Sequence, residues 1–147
     1  MLTKLLPEQI SKFWDIIRYA IEQSLPPIAG EGPGKVKKIL TSLLSGKAHC
    51  WASYVKDGDN RVFEGIMITR IMHDDVSDTR SLLIYCLYGY EDVDSDSWKT
   101  GLKSLVKFAS SKNCERIIAY TDVPYLIELV NKLGGNTNYT FVSLPLN

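Results

Sequence analysis

The stretch "SLLIYCLYGYEDVDSDSWKTGLKSLVKFA", residues 81–109, decides how the whole chain is read. It opens with "SLLIYCLY", apolar on nearly every position, which predicts a strand covered on both faces and therefore central in a sheet. The strand runs out at Tyr88 and Gly89, and an acidic loop follows. Trp98, Leu102, Leu105, Val106 and Ala109 then recur at helical spacing, with Lys99, Lys103 and Lys107 on the outer face. A strand, a short loop and a helix start often make an anion cradle, because free backbone N–H groups and the helix dipole favour negative charge there. This loop carries Glu91, Asp92, Asp94 and Asp96 instead. Asp94, Ser95 or Asp96 is suited to cap the helix, and acids in the first turn complement its dipole.

Working outward, the segments on either side supply the rest of a sheet and its helices. Toward the N-terminus, "AHCWASYV" (48–55), "RVFEGIMITRIMH" (61–73) and "TRSLLIYCLYGY" (79–90) are separated by the turns "KDGDN" and "DDVSD" and read as antiparallel hairpins. Before them, Ile10, Phe13, Trp14, Ile17, Ala20 and Ile21 form one amphipathic helix after Pro7, ended by Pro26 and Pro27. A second helix carries Val36, Ile39, Leu40, Leu43 and Leu44 and stops at Gly46. Beyond residue 109, "ERIIAYT" (115–121) predicts a short strand and Pro124 opens a helix through Leu133. "YTFVSLPL" (139–146) predicts a last strand. The order is α-α-β-β-β-α-β-α-β: an α/β (α+β) mixed, mainly antiparallel sheet with helices on both faces, in a single domain over residues 1–147.

At 147 residues, 45% hydrophobic and 23% charged, the chain has the composition of one globular domain. Net charge is zero but unevenly placed: residues 57–98 hold 10 Asp/Glu against 3 Lys/Arg, while both flanking blocks are basic. No overall basic excess exists to drive counterion release, so nucleic acid is an unfavoured partner. Such binding would need Lys35, Lys37, Lys38, Lys99, Lys103 and Lys107 on one face. Cys50, Cys86 and Cys114 are widely spaced and form no CxxC pair, which predicts free thiols in a reducing compartment. With neither a secretory apolar run nor a membrane-length segment, the sequence reads as a soluble cytoplasmic protein.

Several familiar chemistries fail on their own spacing. "AGEGPGKVKK" lacks the first glycine of a P-loop, at Ala29, and the hydroxyl residue after Lys35, at Val36, and it follows a helix. His49 and Cys50, adjacent in a strand, point to opposite faces, so no metal site is expected. No GxSxG elbow occurs, and Asp74 and Asp75 are accounted for by turn chemistry. Cys86 and the three tryptophans, Trp14, Trp51 and Trp98, read as core residues.

The element order, together with "LIELVNKLGG" (126–135), resembles the GNAT superfamily of acyl-CoA-dependent N-acetyltransferases over roughly Pro7 to Leu144. The resemblance implies that a cofactor's pantetheine lies against the central strand and its pyrophosphate on "YEDVDSDSWKTG". The family's pattern there begins with Gln or Arg and carries spaced small residues, and this chain has neither; Gly89 precedes the loop and Gly101 lies inside the helix. At 4 Å each carboxylate would repel a pyrophosphate by about 1 kcal/mol in water and several at lower dielectric, against about 0.3–1 kcal/mol from the helix end. The position of the family's proton-donating tyrosine falls on Val130, and that of its following aromatic on Gly135. Tyr120 and Tyr125 are the substitutes nearby, with Glu64, His73 or Glu91 as a base.

These readings predict a GNAT-like domain that has lost acetyl-CoA use, takes no cofactor or metal, and serves as a protein-binding or structural module, through a protein partner or self-assembly. In the resembled fold the 26–35 connector borders the acceptor groove, so Lys35, Lys37 and Lys38 are partner-contact candidates. Small proteins of this resemblance occur in phage genomes, including in virions, which extends the expected locations to a virion. The alternative is an acetyl-CoA-dependent N-acetyltransferase with an atypical cofactor loop, in which Ser97, Lys99 and Thr100 bind phosphate.

Overall fold

In the computed structural model, which describes residues 1–30, 33–89 and 93–146, five strands form one sheet in the order β1-β2-β3-β4-β5. They are β1 (Leu2–Lys4), β2 (His49–Asp57), β3 (Asn60–Asp74), β4 (Thr79–Tyr88) and β5 (Arg116–Ala119). The first four pair antiparallel, and β5 joins β4 in parallel. Helices α1 (Pro7–Lys12), α2 (Trp14–Gln23) and α3 (Lys35–Leu44) precede β2; α4 (Ser95–Ser111) connects β4 to β5, and α5 (Pro124–Lys132) follows β5. The parallel pair requires a crossover, and α4 provides it.

Strand alternation sorts the core into two layers. Cys50 and Ala52 of β2, Ile66 and Ile68 of β3 and Cys86 of β4 pack with Ile10, Ile17, Ile21, Ile39 and Leu43 of α1, α2 and α3. Trp51 and Met67, one position out of phase, pack with Leu105 and Ala109 of α4, and Leu82 joins them because the extra residue Tyr85 reverses the alternation of β4 between Leu82 and Cys86. Helices therefore cover both faces, as the near-continuous apolar run of β4 predicts. Each fully buried Ile or Leu contributes about 1.5–3 kcal/mol from the water it leaves.

Three features differ from the sequence expectation. The first helix is two, because Phe13 (φ −103°, ψ 20°) interrupts it and packs its ring edge-on against Phe63 at 5.6 Å. A short strand, β1, was not anticipated, and it exists through its register with Trp51–Ser53 of β2. The expected strand at 139–146 does not form: Val142, Leu144 and Leu146 are 83%, 82% and 96% exposed, and Pro145 has no N–H to give a ladder. Just past the end of β5, Phe141 of this tail packs edge-on against Tyr120 at 5.4 Å.

Two bulges interrupt the ladders. Ser53 pairs with Gly65 and Tyr54 with Phe63, leaving Glu64 as an extra residue in β3. Ile68 pairs with Cys86 and Thr69 with Ile84, leaving Tyr85 as an extra residue in β4. Past Tyr54, whose N–H and carbonyl still bond Met1, and its partner Phe63, β2 and β3 continue to the turn as a two-stranded ribbon, since β4 pairs no farther than Ile66.

Candidate functional site

The stretch that the resemblance assigns to the cofactor begins at the C-terminal end of β4. There the parallel pairing stops at Ile84 and Ala119, while β4 runs on through Tyr85–Tyr88 with no partner from β5. The bulge at Tyr85 lies at that point of divergence, where an extra residue bends the strand and increases its twist. The Tyr85 phenol is held above its ordinary value chiefly by burial, with Cys86 and Tyr120 adding and Arg70 opposing, so it keeps its proton at neutral pH.

The α4 start is closed by its own side chain. Asp94, in extended conformation before the helix, accepts the Ser97 N–H on Oδ1 at 2.8 Å, and that backbone bond holds its carboxyl below the usual 3.8. Asp96 lies in the first turn and Thr100 donates back to the Asp96 carbonyl at 3.0 Å. Ser97 thus uses its N–H on Asp94, Thr100 turns its hydroxyl into the helix, and Lys99 stands exposed. Glu91 and Asp92 lie outside the described residues, so Glu91 as a base and the first half of the acidic loop have no structural account.

Gly89, the glycine a phosphate cradle would require, is accounted for by packing. Its φ is +85°, and a Cβ there would lie 2.8 Å from the Glu64 carbonyl oxygen and 3.2 Å from Gly65 Cα. Gly101 is unconstrained by comparison, a Cβ there meeting only Leu2 side-chain atoms at 3.8 Å.

The three catalytic candidates are held by different partners. Tyr125, in the first turn of α5, donates its hydroxyl to the Val93 carbonyl at 3.4 Å, tying α5 to the residue before the α4 cap. Tyr120 packs on Phe141 beyond the end of β5. Glu64, displaced by its bulge, accepts from Ser53 Oγ at 3.2 Å. It lines a hollow of about 400 Å³ between α2 and the sheet, with Ile16, Tyr19, Phe63, Tyr88 and the Asp15 carboxylate. Tyr19 and Tyr88 meet there edge-on at 5.8 Å. An apolar hollow of this kind suits an aliphatic or aromatic side chain.

Other candidates resolve as local chemistry. His73 lies in the β3–β4 turn between Asp75 and Asp78, at 2.9 and 2.8 Å, away from the β4 end. Asp74 accepts from Val76 N–H and Ser77 Oγ in the same turn. Val130 and Gly135 belong to the end of α5: Gly135 N–H reaches the Val130 carbonyl at 2.9 Å and Gly134 N–H the Asn131 carbonyl at 3.1 Å, with Gly134 at φ +87°. The Leu-Gly ending is thus a helix stop. His49 packs toward α4 and Cys50 toward α1–α3, and among the described residues no three metal-ligating side chains gather. Burial pushes the Cys50 and Cys86 thiols up to about 12. The lysines divide between α3 and α4, which cover opposite faces of the sheet. Among the described residues no helix is long and apolar enough to cross a membrane. The two bulges that aim Glu64 and Tyr85 were missed by sequence reasoning; they are properties of strand pairing and leave no local signal.

No family model and no curated protein matches the sequence. Solved structures do match the fold. The aminoglycoside acetyltransferase AAC(6')-Iy, in complex with a CoA-containing bisubstrate analogue, superposes with a TM-score of 0.70 at 13% identity, covering 100% of this chain and 97% of that one. A ribosomal-protein-alanine N-acetyltransferase from Brucella melitensis biovar Abortus 2308 gives 0.65 at 12%, covering 99% of each chain. A predicted acetyltransferase from Clostridium acetobutylicum, solved with acetyl-CoA, gives 0.65 at 15%, covering 99% and 95%. The chain therefore has the GNAT fold, the α/β architecture of these acetyltransferases.

Proposed function

We propose that this GNAT-fold chain is a protein-binding module that does not use acetyl-CoA. The observation that carries the reading is the α4 start, where the Asp94 carboxylate accepts the Ser97 N–H that an incoming pyrophosphate would need. A carboxylate already satisfied by a backbone N–H has no proton to offer an anion, and its charge opposes one. Tyr125 adds to this by tying α5 to Val93, the residue before the cap. The hollow beside α2 supplies the binding surface: Ile16 and Tyr19 are 47% and 54% exposed and suit an apolar segment of a partner protein. Calorimetric titration with acetyl-CoA tests the reading directly. No heat of binding is expected, and saturable binding at micromolar affinity would sink it.

The continuation of β4 past β5 favours one second reading, an N-acetyltransferase with an atypical cofactor loop. Its cofactor would be acetyl-CoA, held in part by Lys99, the exposed cation on the second turn of α4. On that reading Lys99→Glu weakens acetyl-CoA binding about tenfold or more, since a phosphate contact is replaced by repulsion. Unchanged affinity in the variant counts against it.

A further inference from the structure

We propose that a second hollow, at the far end of α4, is a binding site for a small monocarboxylate with an apolar body. It lies about 25 Å along the helix from the Asp94 cap, by the rise of 17 residues. Its volume is about 310 Å³, at the small end of the range for ligand sites. Leu43, Cys50 and Phe108 are among the residues that line it. Two ammonium groups lie near that ring: Lys4 Nζ is 5.6 Å and Lys112 Nζ 5.8 Å from its centroid. The His49 ring meets the same phenyl edge-on at 4.9 Å.

The charge balance selects an anion, and a single charge. None of the described residues lining the hollow is acidic. The C-terminal ends of α3 and α4 both reach it, through Ser45 and Lys112, and each contributes roughly half a negative charge. Together they offset about one of the two ammonium charges and leave about one positive charge unanswered. The His49 ring is placed to register this field. Its nitrogen Nδ1 lies 3.0 Å from Thr69 Oγ1, and Thr69 in turn accepts the Trp51 indole N–H at 2.9 Å, so the imidazole is anchored to the sheet. Burial first, then Lys4 and Lys112, hold it below its ordinary value of 6.5.

A bound carboxylate would neutralise that field while its apolar body covers Phe108. The test is NMR titration of the full chain with benzoate as probe and benzamide as its neutral isostere. Benzoate is expected to shift the His49 and Phe108 resonances saturably and to raise the His49 protonation midpoint. Benzamide is expected to bind at least about tenfold more weakly, the scale of one partly screened charge pair. The double variant Lys4→Gln, Lys112→Gln should lose the benzoate response while its own His49 midpoint rises, which shows that the fold and the ring's setting survive. Lys103→Gln with Lys107→Gln, elsewhere on α4, should leave the response intact. Equal affinity for the two probes, no saturable response to benzoate, or a response retained by the Lys4/Lys112 variant would each overturn the proposal.

Discussion

Gly89 and Gly101 flank the acidic loop and the start of α4, yet a Cβ at each meets different surroundings. At Gly89 a side chain must accept the left-handed backbone, at about 1–2 kcal/mol, and also collide with the β3 backbone at Glu64. At Gly101 it replaces glycine with a better helix former in ordinary contact with Leu2, a gain of about 1 kcal/mol. Gly89→Ala is therefore expected to lower the denaturation midpoint and Gly101→Ala to leave it unchanged or raise it, measured by urea unfolding. Equal losses at both positions would show that the α4 start needs glycine for a reason other than packing. The sequence shows both glycines but not this difference, because the contact that constrains Gly89 comes from a residue 25 positions earlier in the chain.

At the level of elements, local signals were readable and pairings were not. Asp94 was legible as a cap because a cap needs only its own next three residues. The hairpin turns were legible for the same reason. Strand β1 was not, because three residues become a strand only when β2 lies beside them. The break at Phe13 was hidden, since apolar spacing continues through it and the ring's partner, Phe63, is fifty residues away. Element ends also set the pH behaviour. Asp94 is held below 3.8, so its contribution is complete above that value and is lost as pH falls through its folded-state value. The His73 turn has the opposite sign: hydrogen bonding to Asp78 raises its value above 6.5, so its contribution is present below 6.5 and lost as pH rises through the folded-state value. Thermal unfolding across pH checks both at once. The deficit of Asp94→Ala should be present at neutral pH and narrow in acid, and that of His73→Gln should be largest near pH 6 and close in base.

For the whole molecule, the two core layers meet at the sheet, and Ile68 sits at its centre with no exposed surface. Ile68→Ala is expected to cost about 2–5 kcal/mol, the range for emptying a well-packed aliphatic site. Removal of residues 136–146 should leave the unfolding midpoint nearly unchanged, because the tail's apolar side chains are largely solvated already. Circular dichroism melts of the two variants provide the comparison, and a large loss on truncation would mean that the tail pairs with the sheet in solution. The sequence made this tail look like a strand because alternation is necessary for a half-buried strand; it is not sufficient without an edge that accepts it.

The ribbon formed by β2 and β3 beyond Tyr54 and Phe63 has a dynamic consequence. Each of its strands has one neighbour where the rest of β3 has two, and Val55 and Val62 are 45% and 47% exposed, so little apolar burial opposes its opening. Its amides should exchange with solvent deuterium by local fraying, while those of Ile66 to Ile68 wait for global unfolding. The long hairpin is thus an arm that flexes independently of a rigid body, with the Glu64 bulge as its elbow, immediately beside the hollow that Glu64 lines.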